Sequence, residues 1–339
     1  MFLDLFSPFG HAASGPIPPS PWLLLLALGL DGYFGEMPLL FRALPHPVVL
    51  MGRAIGALDR RWNKVKDKDW VRRLKGVAAL VVLVTVAGVI GLLVHGLTRL
   101  TSFGFLLEIL IAGILVAQKS LYDHVMAVAR SLDQAGLAGG RAAVAHIVGR
   151  DPNQLDQAGV SRAAIESAAE NLSDGVVAPV FWYLIAGMPG LMIYKMVNTA
   201  DSMIGHRTPR HKAFGWGAAR VDDLLNLVPA RLTAGLLILA AIEPKWASPS
   251  RAWATWRRDA AKHRSPNAGP PEAAMAGALG IRLSGPRFYK NEAPQAEPWI
   301  GDGRAEVTAK DIRRALRLMR HACVAEAALM VPLGIVLWL

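Results

Sequence analysis

The sequence predicts an all-α integral membrane protein with helical cytoplasmic loops, and its composition and apolar runs are the basis of that prediction. Apolar residues make up 53% of the 339 residues and charged residues 19%. A soluble globular chain usually has about 25% charged residues. The uncharged run 77–94 is long enough to cross a bilayer as a helix. These features argue against a disordered protein and against an ordinary soluble enzyme.

The apolar runs predict five to six hydrophobic helical segments. In order along the chain they are 21–30, 77–94, 103–118, 176–194, 224–242 and 322–339. The run 176–194 contains Gly187-Met188-Pro189-Gly190 at its middle, and each half is too short to cross a bilayer, so it is a candidate re-entrant hairpin. Residues 1–20 lack Lys and Arg and are rich in proline, which predicts an N-terminal extension rather than a cleaved signal peptide. We expect residues 21–339 to form a single polytopic domain.

The distribution of charge predicts which side of the membrane the loops occupy. Residues 36–75 carry ten Lys/Arg against four Asp/Glu, and residues 243–321 carry fifteen against eight. The positive-inside rule places both stretches in the cytoplasm. The polar stretch 118–175 is expected on the same side, whereas the side of 198–223 depends on the broken segment and stays open. The net charge of +11 is interpreted as topology charge, because no nucleic-acid-binding motif is present.

Three carboxylates recur at intervals of four on or beside the predicted helix 160–172. They are Glu166, Glu170 and Asp174. Residues at i and i+4 share a helix face, and like charges at that spacing repel unless a cation or a basic partner lies between them. The pattern indicates a site for Mg²⁺ or for an amine. The alternative interpretation is a solvated acidic face.

Polar residues at 198–210 directly follow an apolar segment. Asn198 and Asp201 are three apart and share a helical face. His206, Arg207 and Arg210 supply donor or cationic groups suited to phosphate. The alternative interpretation is a set of anchors at the membrane border.

A second candidate anion site precedes the predicted small-residue helix 273–279. His263, Arg264, Ser265 and Asn267 lie ahead of Pro271, which suits the first turn of a helix. Backbone N–H groups at such a helix start can bind an anion. The alternative is an ordinary helix cap, and the sequence has no P-loop, no zinc-ligand spacing and no nucleophile elbow.

These stretches resemble the CobD/CbiB family of cobalamin biosynthesis, the membrane-bound adenosylcobinamide-phosphate synthases. The resemblance covers residues from about 22 to about 320, with its motifs in the family order. The motifs include Leu44-Pro45-His46-Pro47-Val48, Ser120-Leu121-Tyr122-Asp123-His124-Val125, Ala169-Glu170-Asn171-Leu172-Ser173-Asp174-Gly175, Asn198-Thr199-Ala200-Asp201-Ser202-Met203-Ile204-Gly205-His206, Asp222-Asp223-Leu224-Leu225-Asn226 and His263-Arg264-Ser265-Pro266-Asn267-Ala268-Gly269.

The resemblance implies an ATP-dependent ligase that joins adenosylcobyric acid to (R)-1-aminopropan-2-ol O-phosphate, or a related amino-alcohol phosphate, through an amide bond. The product would be adenosylcobinamide phosphate, with ATP as co-substrate and Mg²⁺ to screen its phosphates. On this basis we assign the catalytic role to Glu166, Glu170, Asp174 and Asp201, and Mg²⁺ binding to Glu166, Glu170 and Asp201. Substrate or phosphate binding is assigned to Asn198, His206, Arg207, Arg210, His263, Arg264, Ser265 and Asn267.

The expected setting is the cytoplasmic (inner) membrane of a bacterium, which a multi-pass chain crosses several times. The expected partners are the corrinoid, the amino-alcohol phosphate and the lipid bilayer, and no nucleic acid. Contacts with other cobalamin-pathway enzymes or with a second copy stay open. Two alternatives to the synthase are an intramembrane, Mg²⁺-dependent prenyl- or phospho-transferase and a non-catalytic membrane sensor of related fold.

Overall fold

The described residues are mostly helical and contain very little strand, as the sequence predicts. A computed structural model describes residues 20–35, 37, 40–101, 103–149, 151–206, 208–285 and 297–338. Its helices are α1 Ser20–Phe34, α2 Leu40–Ala43, α3 Pro47–Trp62, α4 Asp69–Thr98, α5 Phe105–Leu115, α6 Gln118–Val144, α7 Gln157–Leu172, α8 Ala178–Ile204, α9 Trp216–Leu225, α10 Leu227–Ala240, α11 Pro249–Asp259, α12 Gly269–Leu279 and α13 Ala309–Trp338. Short 3₁₀ turns at Pro152–Gln154 and Ala260–Lys262, a π-helical turn at Ser173–Val177 and the strands β1 Leu283–Ser284 and β2 Trp299–Ile300 complete the described elements.

The chain divides into two compact units that are interleaved in sequence. The first unit comprises the described parts of Met1–Ala117, Ala178–Asn226 and Met330–Leu339. The second comprises the described parts of Gln118–Val177 and Leu227–Leu329. The predicted extension 1–20 lies outside the described residues except for its last position.

The first unit is built on close packing of α4 against α8. A Cβ added at Gly91 would lie 2.5 Å from the Cα of Pro189, and one added at Gly76 would lie 1.8 Å from the carbonyl oxygen of Phe214. Small residues at such positions let helix backbones approach closely, which is a common way to pack helices in membranes. The same packing holds the start of α9, because Phe214 lies just before it.

Helix α8 is interrupted where the Gly-Met-Pro-Gly sequence predicts a break. Ala186 and Gly187 leave helical geometry, with φ values of −138° and +60°. Glycine adopts a positive φ without steric cost, and Pro189 has no N–H to continue the ladder of helical hydrogen bonds. The predicted break is therefore confirmed, two residues before the proline.

The second unit surrounds α12, whose residues are all buried. It packs against α7, α10 and α11. Its small side chains permit close contact, and a Cβ at Gly277 would lie 2.4 Å from the carbonyl oxygen of Arg251 in α11. Beside it, β1 and β2 form an antiparallel pair that the sequence did not predict, with Leu283 opposite Ile300.

The helices of the polar stretches differ from expectation mainly at their ends. The predicted helix 160–172 is α7, and Asp156 caps it by accepting a hydrogen bond from the Gly159 N–H at 2.6 Å. Helix α6 is interrupted at Gly136, with φ of +60°, and ends at Val144. Helix α12 begins at Gly269 rather than 273, because both prolines occupy its first turn.

Four stretches are long and apolar enough to cross a membrane, within the residues described. They are Asp69–Thr98, Phe105–Val144, Gln157–Ile204 and Ala309–Leu337. Helices α9 and α10 add a fifth if they form one span bent by 45°, and Pro21–Phe34 is a shorter apolar helix. The chain thus has the helices of a multi-pass membrane protein, and each predicted apolar segment falls within or across them.

Candidate functional site

The loop before α12 folds into a compact turn beside a cavity of about 480 Å³ in the second unit. The Ser265 N–H donates to His263 Nδ1 at 3.0 Å, and Ser265 Oγ accepts from the N–H groups of Asn267 and Ala268, both at 3.3 Å. The serine hydroxyl thus orders the loop just before the helix, where the sequence predicts backbone donors for an anion, whereas the N-cap residue Ala268 makes no side-chain cap. The loop's own hydrogen bonds therefore satisfy part of this donor set.

The cavity is strongly cationic. Its lining residues are Arg231, Trp256, Arg257, Ala260, Ala261, His263, Arg264, Pro266 and Pro270. Arg231, Arg257 and Arg264 are all exposed, and Arg231 donates to Leu227 O at 2.9 Å and to Asn267 Oδ1 at 3.3 Å. His263 Nε2 lies 3.8 Å from Glu272 Oε1, an ion pair when the histidine is protonated. Three guanidinium groups around one cavity are suited to phosphate oxygens.

One wall of this cavity, formed by Ala260 and Ala261, is fixed by the buried carboxylate of Asp259. Its oxygens accept hydrogen bonds from Arg258 Nε and Nη2, both at 2.8 Å, and from the Gly301 N–H at 2.8 Å. Lys262 Nζ lies 2.7 Å from Oδ1. The hydrogen bonds from Arg258 outweigh burial and hold the pKa of Asp259 well below its usual range. The wall is thus tied to the segment at Gly301 through a carboxylate that stays charged.

The three carboxylates predicted on one helical face have different environments. Glu166 is buried, and its Oε1 accepts a hydrogen bond from the Ser284 N–H at 2.8 Å. Glu170 is exposed, one turn further along α7. Asp174 is half-buried and belongs to the π-helical turn, which interrupts the α-helical spacing assumed from the sequence. Glu170 and Asp174 are therefore the more accessible members of this group.

In the first unit, a hydrogen-bonded network forms around Asp222. Its Oδ1 accepts from Asn198 Nδ2 at 3.3 Å, and its Oδ2 accepts from Asn226 Nδ2 at 3.1 Å. The Tyr194 hydroxyl donates to Asn226 Oδ1 at 2.9 Å. Asp222, Tyr194 and Asn226 are all buried. The hydrogen bond to Asp222 therefore ties the side chain of Asn198 to a buried network.

Asp201 lies within electrostatic range of Asp222, Asp223 and the exposed His206. The Asp201 carboxylate packs against the backbone of Gly205, where a Cβ would lie 1.9 Å from Asp201 Oδ1. Arg220 Nη2 is 3.0 Å from Asp223 Oδ2 and neutralises part of the group. A cluster of three neighbouring carboxylates is suited to a cationic group.

Arg210 is held away from any bidentate grip on phosphate by its pairing with Asp59. Its Nε and Nη2 donate to Asp59 Oδ2 at 3.1 and 2.6 Å. Arg207, the other predicted phosphate-binding arginine here, lies outside the described residues.

The predicted site residues thus fall into two groups. One group is in the first unit: Asn198, Asp201, His206 and Arg210. The other is in the second unit: Glu166, Glu170, Asp174, His263, Arg264, Ser265 and Asn267. Within the residues described, no three His, Cys, Asp or Glu side chains converge as a metal site. The Mg²⁺ assignment to Glu166, Glu170 and Asp201 stays a prediction.

The structure adds residues that the sequence did not assign to a site. Asp222 and Asn226 belong to a motif that carries the family resemblance. That motif could have marked them as candidates, although their hydrogen bonds could not be predicted from the sequence. Arg231 likewise belongs to such a motif, Pro229-Ala230-Arg231, whereas Trp256 and Arg257 had no comparable signal, because single arginines and tryptophans near apolar segments usually serve as membrane anchors.

The fold and these clusters define a polytopic helical membrane protein with a cationic cavity in one unit and a carboxylate cluster in the other. The chain belongs to the family described as CobD/Cbib protein, which it matches over residues 24–319.

Its relatives include proteins named cobalamin biosynthesis protein CobD. The one from Sinorhizobium sp is 49% identical over 93% of this chain and 98% of the relative. The one from Brucella anthropi is 50% identical over 87% of this chain and 91% of the relative. The one from Rhodobacter capsulatus is 47% identical over 93% of this chain and 98% of the relative. No solved structure matches the chain.

Proposed function

We propose that this chain is the synthase of cobalamin biosynthesis that joins adenosylcobyric acid to an aminopropanol phosphate with the consumption of ATP. The observation that carries the proposal is the family match over residues 24–319, shared with relatives named for cobalamin biosynthesis. The organisms of these relatives support a bacterial inner membrane as the location.

The cationic cavity of the second unit is proposed to bind ATP. Arg257, Arg264 and Arg231 offer guanidinium groups to the phosphates. Trp256 provides an aromatic face against which a purine can stack. The volume of about 480 Å³ is within the usual range for small-molecule sites. The amino-alcohol phosphate is then the substrate left for the donors of the first unit, His206 and Asn198.

The proposed reaction has two steps. A carboxylate oxygen of adenosylcobyric acid attacks the γ-phosphorus of ATP, the bond to the β–γ bridging oxygen breaks, and ADP leaves. The amine of the amino-alcohol then attacks the carbonyl carbon, the amide bond forms, and phosphate leaves with the former carboxylate oxygen. The amine must lose a proton to attack the carbonyl carbon.

Mg²⁺ is proposed to enter with ATP rather than to occupy a protein cage. Magnesium is commonly held by one or two carboxylates together with substrate phosphates and water. The exposed Glu170 and the half-buried Asp174 fit that mode, because their carboxylates are accessible. When bound, the ion would neutralise charge on the phosphates. Glu166 is the least suited of its predicted ligands, because it already accepts a hydrogen bond from Ser284.

The carboxylate cluster around Asp201 is proposed to receive the ammonium form of the amino-alcohol. It provides negative charge near Asn198 and His206. The transferase alternative would use the same aspartates to hold a diphosphate through Mg²⁺, and it predicts consumption of a lipid diphosphate.

The test is product formation by purified protein supplied with adenosylcobyric acid, ATP, Mg²⁺ and aminopropanol phosphate. Mass spectrometry should detect adenosylcobinamide phosphate only when all substrates are present. Arg264→Gln should lower kcat/KM for ATP by about 10- to 100-fold, as expected for loss of one charge-assisted hydrogen bond. Arg251→Gln, an exposed arginine on α11 outside the cavity lining, is the matched control. Absence of product from correctly folded protein would reject the proposal.

A further inference from the structure

A second cationic cavity, of about 410 Å³, lies in the first unit at the turn between α3 and α4. We refer to it as the α3–α4 cleft. Its lining residues are Arg60, Asn63, Lys64, Val65, Lys66 and Arg210. Of these residues, only Arg210 is a candidate site residue predicted from the sequence.

The floor of the α3–α4 cleft is a completed hydrogen-bond network. Buried Arg72 donates from Nε to Asn63 Oδ1 at 2.9 Å, and Asn63 Nδ2 donates to Asp59 Oδ1 at 2.8 Å and to Arg210 O at 2.9 Å. Arg72 also donates to the Arg210 carbonyl. A floor whose polar groups are paired in this way gives the rim a fixed shape.

The rim of the cleft carries excess positive charge. Arg60, Lys64 and Lys66 are all exposed. The acidic side chains nearest in sequence have their closest ion pairs with cations other than Arg60, Lys64 and Lys66: Asp59 with Arg210 and His211, Asp67 with Lys75 at 2.6 Å, and Asp69 with Arg72 at 3.5 Å. Asp67 also interacts electrostatically with Lys66, which leaves Arg60 and Lys64 as the uncompensated charges. The cleft is therefore complementary to an anion.

The cleft also adjoins the start of a membrane-spanning helix. Helix α4 begins at Asp69 and contains a candidate span. Near its start, Val65, Trp70 and Leu74 are 72%, 66% and 63% exposed. Tryptophan beside Lys and Arg at the end of a span is typical of the headgroup level of a bilayer. At this level, an anionic lipid could place its headgroup in the cleft and keep its acyl chains against the apolar residues of α4.

We propose that the α3–α4 cleft binds the phosphate headgroup of an anionic phospholipid. Arg60, Lys64 and Lys66 contact the phosphate. Val65, Trp70 and Leu74 contact the glycerol and acyl-chain part of the same lipid. A basic residue near an anionic membrane surface contributes about fivefold in affinity. This inference goes beyond the proposed reaction and does not depend on it, because lipid binding is measured without substrates.

The experiment compares two double variants by native mass spectrometry of protein in uncharged detergent, titrated with phosphatidylglycerol or phosphatidylcholine. Lys64→Gln with Lys66→Gln removes two rim charges. Arg61→Gln with Lys68→Gln removes two charges from exposed positions of the same segment that do not line the cleft. Both variants change the net charge equally, so they separate a specific site from general attraction.

We expect the natural sequence to retain phosphatidylglycerol in preference to phosphatidylcholine. The rim variant should bind phosphatidylglycerol about 20- to 30-fold more weakly, and the control variant should change by less than about threefold. Excess glycerol 3-phosphate should not displace the lipid. Equal weakening in both variants would mean that no specific site exists, and displacement by glycerol 3-phosphate would identify the ligand as a soluble phosphate. Either result overturns the proposal.

Discussion

Arg210 donates two hydrogen bonds to a single carboxylate oxygen of Asp59, from Nε at 3.1 Å and from Nη2 at 2.6 Å. The two residues are 151 positions apart, and the contact joins α3 to the loop between α8 and α9. Arg210 is therefore part of the framework of the first unit, and its side chain has a structural partner that the sequence does not reveal.

This ion pair predicts an acid-sensitive contribution to stability. Burial raises the pKa of Asp59, but hydrogen bonds from Asn63 and Arg210 outweigh it and hold the pKa below its ordinary value. A depressed folded-state pKa gives stability that is present above the unfolded pKa of about 4 and is lost as pH falls through the folded pKa. Asp59→Asn should lower the melting temperature at pH 7 and flatten its decline below about pH 4. Thermal unfolding of both proteins in detergent across this range is the measurement, and parallel curves would show that the pair contributes nothing.

Tyr183 donates from its hydroxyl to Glu108 Oε1 at 2.6 Å, and both residues are buried. Thr98 Oγ1 lies 3.3 Å from Glu108 Oε2. Tyr183→Phe should destabilise the protein by about 1–3 kcal/mol, because it leaves a buried carboxylate with one fewer donor. Tyr33→Phe is the matched control, since Tyr33 is 77% exposed. Equal melting temperatures for the two variants would contradict a structural role for the hydroxyl.

Glu170→Gln tests the assignment of the accessible carboxylate on α7. The change keeps the size of the side chain and removes its charge, so a charged contact worth roughly 2–4 kcal/mol in the active site should be lost. Turnover should fall by about 30- to 1,000-fold, while folding survives because Glu170 is exposed. Glu306→Gln, also at an exposed carboxylate in the second unit, should leave turnover unchanged. Normal turnover of Glu170→Gln would remove this residue from the site.

Asp222→Asn tests whether this residue positions Asn198. Each carboxylate oxygen of Asp222 accepts from one asparagine, and an amide at 222 would present an N–H₂ group to one of them. The lost hydrogen bond should raise KM for the amino-alcohol phosphate more than it lowers kcat, because the group acts through Asn198. Asp69→Asn is the control, since Asp69 is an exposed carboxylate elsewhere in the first unit. A fall in kcat at constant KM would contradict a positioning role.

The local features of the fold could be predicted because each depends on residues close in sequence. Asp156 precedes a run of helix-forming residues, and the structure makes it the N-cap of α7. Gly187 and Pro189 mark the break in α8, since glycine tolerates positive φ and proline lacks an N–H. The apolar runs predict membrane-spanning helices because only such runs suit a bilayer.

The contacts that define the candidate site could not be predicted in the same way. Spacing alone placed Glu166, Glu170 and Asp174 on one face, but the π-helical turn from Ser173 changes the register, and Glu166 turns to the backbone of Ser284, 118 residues away. Arg231 and Trp256 join the loop at His263 only after α10, α11 and α12 pack together. Such placements follow from tertiary packing of distant segments.

The proposed amide-forming reaction is tested most directly by following an isotope from the corrin. Adenosylcobyric acid labelled with ¹⁸O in its reacting carboxylate is converted with ATP and aminopropanol phosphate, and the phosphate and nucleotide products are analysed by mass spectrometry. Transfer of the carboxylate oxygen to phosphorus predicts one ¹⁸O in inorganic phosphate, with ADP formed in equal amount to the amide. Label in AMP, or amide formation without labelled phosphate, would contradict the account.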